Sequence, residues 1–377
     1  MHLGIYFRRL DYRILFLIGM MMTVSLLVIS SAAQPVGYGE ELEFFTPMVK
    51  RQLFFFGLGW VCFFLLSYLD YRSLRRQGPF IYMGVLVLLF GLFFTDPIQN
   101  VHRWYKLPLI NFALQPSEYA KLSVVIALSF FLEKRKDVMY RLSTILQACL
   151  LVFIPFVLIL KQPDLGTSLV LLPITYVMFY FGGAPRKVLV AMTVGGLAML
   201  GFVVSMFLGI ISHEKLKPAM TKVIKEYQYE RLNPDTYHQK SAQIAIALGH
   251  LTGSGWGDSD YTAKRWLPFA DTDSVFPAFV EQFGFIGAFI LIFAFFGMVY
   301  FSFQVTAVAK DDFGKLLSSG IAVYIAIHVI VNVGMMCGLL PITGVPLLLI
   351  SYGGSSVMSA MIALGILQSV YVRRYMF

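Results

Sequence analysis

The chain reads as an all-α integral membrane protein, one polytopic domain over 1–377 folded as a bundle of ten transmembrane helices with a long extracytoplasmic loop between helices 7 and 8. Three observations carry this. Hydrophobic residues make up 58% of the 377 and charged residues only 14%, where soluble proteins average about a quarter charged. Mean hydropathy is +0.73. Apolar runs close to the roughly 20 residues that a bilayer-crossing helix needs recur along the whole length, which implies helices rather than barrel strands.

The expected spans are 14–32, 52–69, 80–95, 117–132, 143–160, 165–182, 188–211, 277–303, 314–338 and 345–372. The first follows Arg8, Arg9 and Arg13; its apolar run exceeds a signal-peptide core and lacks a small-residue cleavage pattern, so it is expected to be retained. The fourth opens on "QPSEYAKL", with Pro116 and Ser117 at its start. The fifth and sixth are joined by the tight turn "KQPDLGTS". Pro277 stands at the start of the eighth, and Pro341, Gly344 and Pro346 make a sharp turn before the tenth. Gly353, Gly354, Ser355 and Ser356 suit close helix packing.

The net charge of +9 is dispersed among short loops at alternate helix ends, without the contiguous basic stripe of a nucleic-acid binder. With the N-terminus inside, Arg8, Arg9, Arg13, Arg72, Arg75, Arg76, Lys134, Arg135, Lys136, Arg141, Arg186, Lys187, Lys310, Lys315, Arg373 and Arg374 are cytoplasmic. The short outer loops then keep Lys50, Arg51, Arg103, Lys106 and Lys161, so the positive-inside rule selects this orientation, and an even span count returns the C-terminus to the cytoplasm. Cys62, Cys149 and Cys337 fall in helices and imply no disulfide framework; the six histidines show no metal-binding interval.

The segment 212–276 breaks the rhythm of short loops, and long ordered loops are usually functional. Within it "KPAMTKVIKEYQYERL" has the pattern of an interfacial helix, "SAQIAIALGHL" that of a second short helix, and "TGSGWGDSD" that of a turn-rich connector. The connector lacks the strand, helix and lysine of a phosphate loop, so no nucleotide cofactor is expected.

Charges in a membrane bundle cost roughly 2.5–3.5 kcal/mol at a helix centre, so each one asks for a reason. Glu118 and Lys121 share a helix face, either as a structural ion pair or with Lys121 turned into a cavity to hold an anion. Asp164 either caps the following helix or helps to coordinate a divalent cation, and both can hold together. Arg103 and Lys106 flank Trp104, as an interface anchor or as donors to a lipid-linked diphosphate. At the end of the long loop, "RWLPFADTDSVFPAFVEQFGFIG" sets Asp271 and Asp273 beside apolar residues; Asp273 is a helix cap or a reactive carboxylate.

In order along the chain, "RW" at Arg103–Trp104, "QPSE" with Lys121, "QPDLGT" from Gln162, "TD" at Thr272–Asp273 followed by Glu281 and "GFIG", then "LLPITG" and "SYGGSS" together resemble the SEDS family (shape, elongation, division and sporulation proteins) over nearly the whole length. The resemblance implies a peptidoglycan glycosyltransferase of the bacterial cytoplasmic membrane that polymerises lipid II and works with a class B penicillin-binding protein, a transpeptidase. It favours the elongation branch over the division branch. Asp273 then inherits the catalytic role, as general base; Arg103, Trp104, Glu118, Lys121, Lys161, Asp164 and Glu281 are expected at the substrate, with Asp164 near a Mg or Mn ion. The family pattern H-T-D-F-I-F reads "DTDSVF" here, with Asp271 in place of the histidine and Ser274 in place of a phenylalanine. A like charge at Asp271 is expected to make Asp273 a stronger base. A carrier for a lipid-linked saccharide is the alternative of a different class.

Overall fold

The computed structural model describes residues 3–33, 43–96, 101–107, 112–207, 210, 217, 218, 221, 229, 233 and 236–375. In chain order the elements are α1 Leu3–Arg9, α2 Tyr12–Ala32, α3 Pro47–Tyr68, α4 Arg72–Gly91, β1 Tyr105–Leu107, β2 Phe112–Leu114, α5 Pro116–Lys134, α6 Leu142–Lys161, α7 Leu165–Phe181, α8 Arg186–Phe207, α9 Tyr237–Leu248, α10 Asp260–Ala263, α11 Val275–Val308, α12 Asp312–Met336 and α13 Gly354–Val372. Among the described residues eight helices are long and apolar enough to cross a membrane, namely α2, α3, α4 with its terminal 3₁₀ turn, α6, α8, α11, α12 and α13. The α7 helix is apolar but shorter, and α5, of 19 residues, carries Glu118, Lys121, Glu133 and Lys134.

Burial ranks these helices. The apolar window of α13 is 83% buried and that of α8 only 6%, so α13 is the axis of the bundle and α8 a peripheral, lipid-facing helix. Along α13 runs α3, and the two approach closely where Gly365 faces Phe63: a Cβ there would lie 2.8 Å from the Phe63 carbonyl oxygen. Close backbone approach at small residues is how helices gain dispersion contacts when lipid removes the hydrophobic drive between them. At the far end of the bundle from α13's first turn, Asp311 accepts from Gly314 N and Tyr71 Oη and pairs with Arg75 at 3.2 Å, while Arg75 also meets Glu133 at 2.6 Å. These contacts tie α4, α5 and α12 together.

Three expectations change. The last helix begins at Gly354, not 345, because Pro341 and Pro346 remove helical donors while Gly344 (φ 76°) and Leu349 (φ 65°) take left-handed backbone. The stretch before the fourth span is not plain loop: β1 and β2 pair antiparallel, Tyr105 opposite Leu114. In the long loop the helix expected from "SAQIAIALGHL" forms as α9 but starts earlier, at Tyr237. The expected interfacial helix "KPAMTKVIKEYQYERL" lies, apart from residues 217, 218, 221 and 229, outside the described residues.

The connector "TGSGWGDSD" has a structural task. Helix α11 is broken at Gly284 (φ 66°, ψ −168°), and a break inside a membrane bundle leaves polar backbone groups that need partners. Residues 250–255 supply them: Phe285 N and Ile286 N donate to His250 O and Leu251 O, while Ser254 N and Gly255 N donate to Glu281 O and Gln282 O. A side chain at Gly284 would collide with this docked strand, since a Cβ would sit 2.4 Å from Gly253 N and 2.5 Å from Leu251 O. Backbone in this region costs a non-glycine residue on the order of 1–3 kcal/mol before any clash is counted. Gly284→Ala is therefore expected to lower the midpoint of thermal unfolding in detergent. Gly201→Ala, where a Cβ meets nothing within 4 Å, is the control and is expected to leave the midpoint unchanged or slightly raised.

Candidate active site

The site lies where the helices are interrupted. The turn Gln162–Pro163–Asp164, the hairpin, the end of the long loop and the non-helical segment 340–353 meet around a cavity of about 840 Å³. Its lining includes Arg103, Trp104, Asp164, Thr272 and Asp273, together with Arg51, His238 and the first turn of α13.

The backbone under Asp273 is fixed from three directions. Tyr352 N donates to Asp271 O at 2.8 Å, Ser351 Oγ to Thr272 O at 2.7 Å, and Asn332 Nδ2 to Asp273 O at 3.0 Å. The same Asn332 amide nitrogen reaches Val345 O at 2.8 Å, which fixes which end of the amide faces these carbonyls. Next in sequence, Ser274 Oγ is 2.7 Å from His238 Nε2 on the first turn of α9. Helix α9 is anchored in turn by Gln239, whose Nε2 donates to Met335 O and Leu340 O. The Asp273 carboxylate thus stands on a strip of chain with little freedom to shift.

Across the cavity Arg103 is oriented by carbonyls: Nε donates to Gln162 O at 3.0 Å and Nη2 to Pro163 O. Carbonyl oxygens hold a guanidinium without cancelling its charge, and Arg103 is part of the cavity lining. Asp164 caps α7 by accepting from Thr167 N, and its other oxygen lies 3.2 Å from Gln115 Nε2 and 3.4 Å from Ser117 Oγ. Capping and cavity-facing are both realised. Among the described residues no group of three or more His, Cys, Asp or Glu side chains is placed to hold a metal ion.

Four residues expected at the substrate are not among the residues lining the cavity. Lys121 is fully buried, its Nζ 2.7 Å from Glu118 Oε1 and 2.7 Å from His328 Nε2. His328 Nδ1 is 2.7 Å from Tyr324 O, so the ring is the neutral tautomer that accepts from the lysine and donates to the carbonyl. Ser359 Oγ lies 3.2 Å from Glu118 Oε2 and completes the ring of contacts. Two charges this deep must spend themselves on each other, because an unpaired buried ion is far costlier than a paired one. Glu281 is buried as well and accepts from Tyr261 N, Thr262 N and Thr262 Oγ1 at 2.8, 3.1 and 2.5 Å, which pins α10 to α11. Lys161 is exposed at the end of α6.

Arg51 and His238 enter the lining without having been singled out in the sequence. Arg51 had counted only as a topology charge; Thr46 and Pro47, which cap and open α3, place it in the helix's first turns beside the cavity. His238 had no motif at all, and its position depends on the docking of α9.

A family model described as "Cell cycle protein", FTSW_RODA_SPOVE, matches residues 11–376. The peptidoglycan glycosyltransferase MrdB of Helicobacter pylori is 30% identical over 331 residues, 87% of this chain and 84% of that protein. A solved chain from work on the structural coordination of polymerization and crosslinking by a peptidoglycan synthase complex superposes with a TM-score of 0.77 at 28% identity, covering 98% of this chain and 99% of that one. The rod shape determining protein RodA of Thermus thermophilus superposes with a TM-score of 0.69 at 25% identity, covering 98% of each chain.

Asp271, two residues from Asp273, is not part of the lining, and burial pushes its carboxyl above the usual carboxylate range. A raised folded-state value means that the folded protein holds this proton more tightly than the unfolded chain, so ionised Asp271 destabilises the fold at neutral pH and the penalty vanishes below the unfolded value of about 3.9. Asp271→Asn is expected to raise the thermal midpoint at pH 7, with the gain shrinking as the pH is lowered towards 4. Unfolding followed at both pH values for the two proteins checks this.

Proposed function

The chain belongs to the FtsW, RodA and SpoVE family, and from that premise we propose that it is a peptidoglycan glycosyltransferase that polymerises lipid II during wall elongation, with Asp273 as general base. The observation that carries this reading is that Asp273 shares one cavity with Arg103, Trp104 and Asp164.

In the proposed reaction the 4-hydroxyl of an incoming lipid II sugar attacks the anomeric carbon of the growing strand, and undecaprenyl diphosphate leaves. An α-linked donor becomes a β-1,4 link, so the displacement inverts. The alcohol becomes a competent nucleophile only when a positioned base takes its proton. Glycosidases need a second carboxyl to protonate the leaving group, but a diphosphate departs as a stable anion and needs positive charge instead. Arg103 and Arg51 supply that charge in place of Lys121 and Lys161. The first turn of α13, whose N–H groups have no partner within the helix, adds the positive end of its dipole to the anion-binding wall. Trp104 packs against sugar or isoprenoid.

The chain is read as one membrane domain of ten spans, α5 and α7 joining the eight apolar ones, with both termini in the cytoplasm and 212–276 on the outer face. That orientation puts the cavity where lipid II is consumed. A class B penicillin-binding protein is the proposed partner, consistent with the synthase complex from which a similar solved chain comes.

Purified protein with its transpeptidase partner, incubated with lipid II, is expected to make glycan strands, and Asp273→Asn to lose activity by about 10²-fold or more. Arg103→Gln is expected to lower the rate while the fold is retained. Unchanged strand yield in Asp273→Asn removes the base; lipid II translocation without polymerisation replaces the enzyme with a carrier.

A further inference from the structure

At the end of the bundle opposite the candidate active site, α2 begins while α11 and α13 end, and a second cavity of about 410 Å³ opens between them. Arg13, Arg374, Tyr371, Gln304, Ala307 and Val308 are in its lining. Nothing in the polymerisation chemistry uses it.

Both arginines are held in place before any ligand arrives. Asp11 grips Arg13 through Nε at 2.9 Å and Nη2 at 2.8 Å, and the guanidinium lies 4.4 Å over the Phe301 ring. Arg374 stacks 3.6 Å over Tyr371 and lies 4.5 Å from the Tyr375 ring. Its Nη1 donates to Arg9 O and Tyr371 O, both neutral acceptors, and among the described residues no carboxylate pairs with it. Tyr371 stands between the two arginines, its ring under one and its hydroxyl interacting with the other. The cavity therefore holds one cation that Asp11 compensates and one that, among the described residues, is held by carbonyl oxygens and aromatic rings. Guanidiniums already stacked and hydrogen-bonded in this way lose little rotamer freedom on binding an anion and present a planar fork suited to phosphate oxygens.

The rim gives the ligand class. Ala307 and Val308 close the last turn of α11 with apolar surface, beside the lipid-facing aromatic side chains Phe296 and Tyr300 further along the helix, 63% and 52% exposed. A site with cationic donors at the helix ends and apolar wall towards the membrane fits an amphiphile whose phosphate is at headgroup level. We propose that this cavity binds the phosphodiester headgroup of an anionic phospholipid, with Arg374 as the principal donor and Arg13 as the second. On the orientation given above the lipid is in the inner leaflet; the leaflet rests on that orientation, the phosphate chemistry does not. The bound lipid would bridge α2, α11 and α13, and α11 and α13 carry Asp273's neighbours at their other ends.

The test is native mass spectrometry of the purified full-length protein in detergent, with equal phosphatidylglycerol and phosphatidylcholine. The wild type is expected to retain one phosphatidylglycerol in preference to phosphatidylcholine, and Arg13→Gln/Arg374→Gln to lose that occupancy by about tenfold or more. Arg13→Lys/Arg374→Lys, which keeps the charge, is expected to keep most of it. Retained polymerase activity of the Gln variant in detergent shows that it is folded. Equal occupancy by the two lipids, unchanged occupancy in the folded Gln variant, or displacement of the lipid by millimolar inorganic phosphate would each overturn the assignment. Failure of this site leaves Asp273 untouched, and an inactive Asp273→Asn protein still reports on lipid occupancy.

Discussion

Backbone hydrogen bonding within an environment that offers no water is the constraint on which this structure depends. A transmembrane helix satisfies its own peptide groups, and an interruption in one does not. This bundle is interrupted at Gly284, at the 162–164 turn and through residues 340–353, and each interruption is repaired by chain from elsewhere. Residues 250–255 pair with the kink in α11. Arg103 takes the carbonyls of the 162–163 turn. Asn332, Ser25 and Gln52 donate to Val345 O, Ile350 O and Ser351 O of the segment before α13. Arg103 both repairs one interruption and lines the cavity, and Asn332 ties the segment before α13 to the Asp273 carbonyl, so at these points site and scaffold share hydrogen bonds.

The same accounting separates two kinds of cation. Lys121 sits in the interior, where an ion without a partner is prohibitive, and its two hydrogen-bond partners, a carboxylate and a neutral imidazole, consume it. Arg103 lines the cavity and, among the described residues, is oriented by carbonyls. Orientation without neutralisation leaves electrostatic capacity for a developing anion, and preorganised charge of that kind stabilises a transition state without reorganising during the reaction. The number of basic residues near a membrane site therefore says less than the identity of the acceptors that hold them.

Hydropathy made the long helices legible, because the length of an apolar run and its chemistry are both local properties. Asp273, Arg103, Trp104 and Asp164 were legible as motifs, and all four line one cavity. What was not legible depended on contacts distant in sequence. The glycine-rich connector looked like a spacer because its partner, the α11 kink, is about thirty residues away. Glu281 looked like a substrate residue because only the fold brings Tyr261 and Thr262 to its carboxylate. His238 had no signal until α9 docked against α12. Pro341 and Pro346 did announce a turn, but apolarity through 345–353 concealed that the turn continues to Gly353, since a buried irregular segment and a buried helix share the same composition.

Pinning also bears on the base role proposed for a loop-borne carboxylate. Loops are usually the mobile part of a protein, and proton abstraction needs the acceptor within hydrogen-bond reach of one hydroxyl. Donors from α12 and from residues 351 and 352 hold the three carbonyls of 271–273, while Ser274 is held from α9. This gives loop backbone the positional definition of a helix while its side chain projects into the cavity. A helix would supply the same rigidity but would bury its own N–H and C=O groups in its axis, and the chain could then not bend from the long loop into α11 at this point. The broken geometry is what lets a carboxylate carried by the long loop and a guanidinium from the hairpin's approach share one cavity, and the three donors are what keep it rigid enough for chemistry.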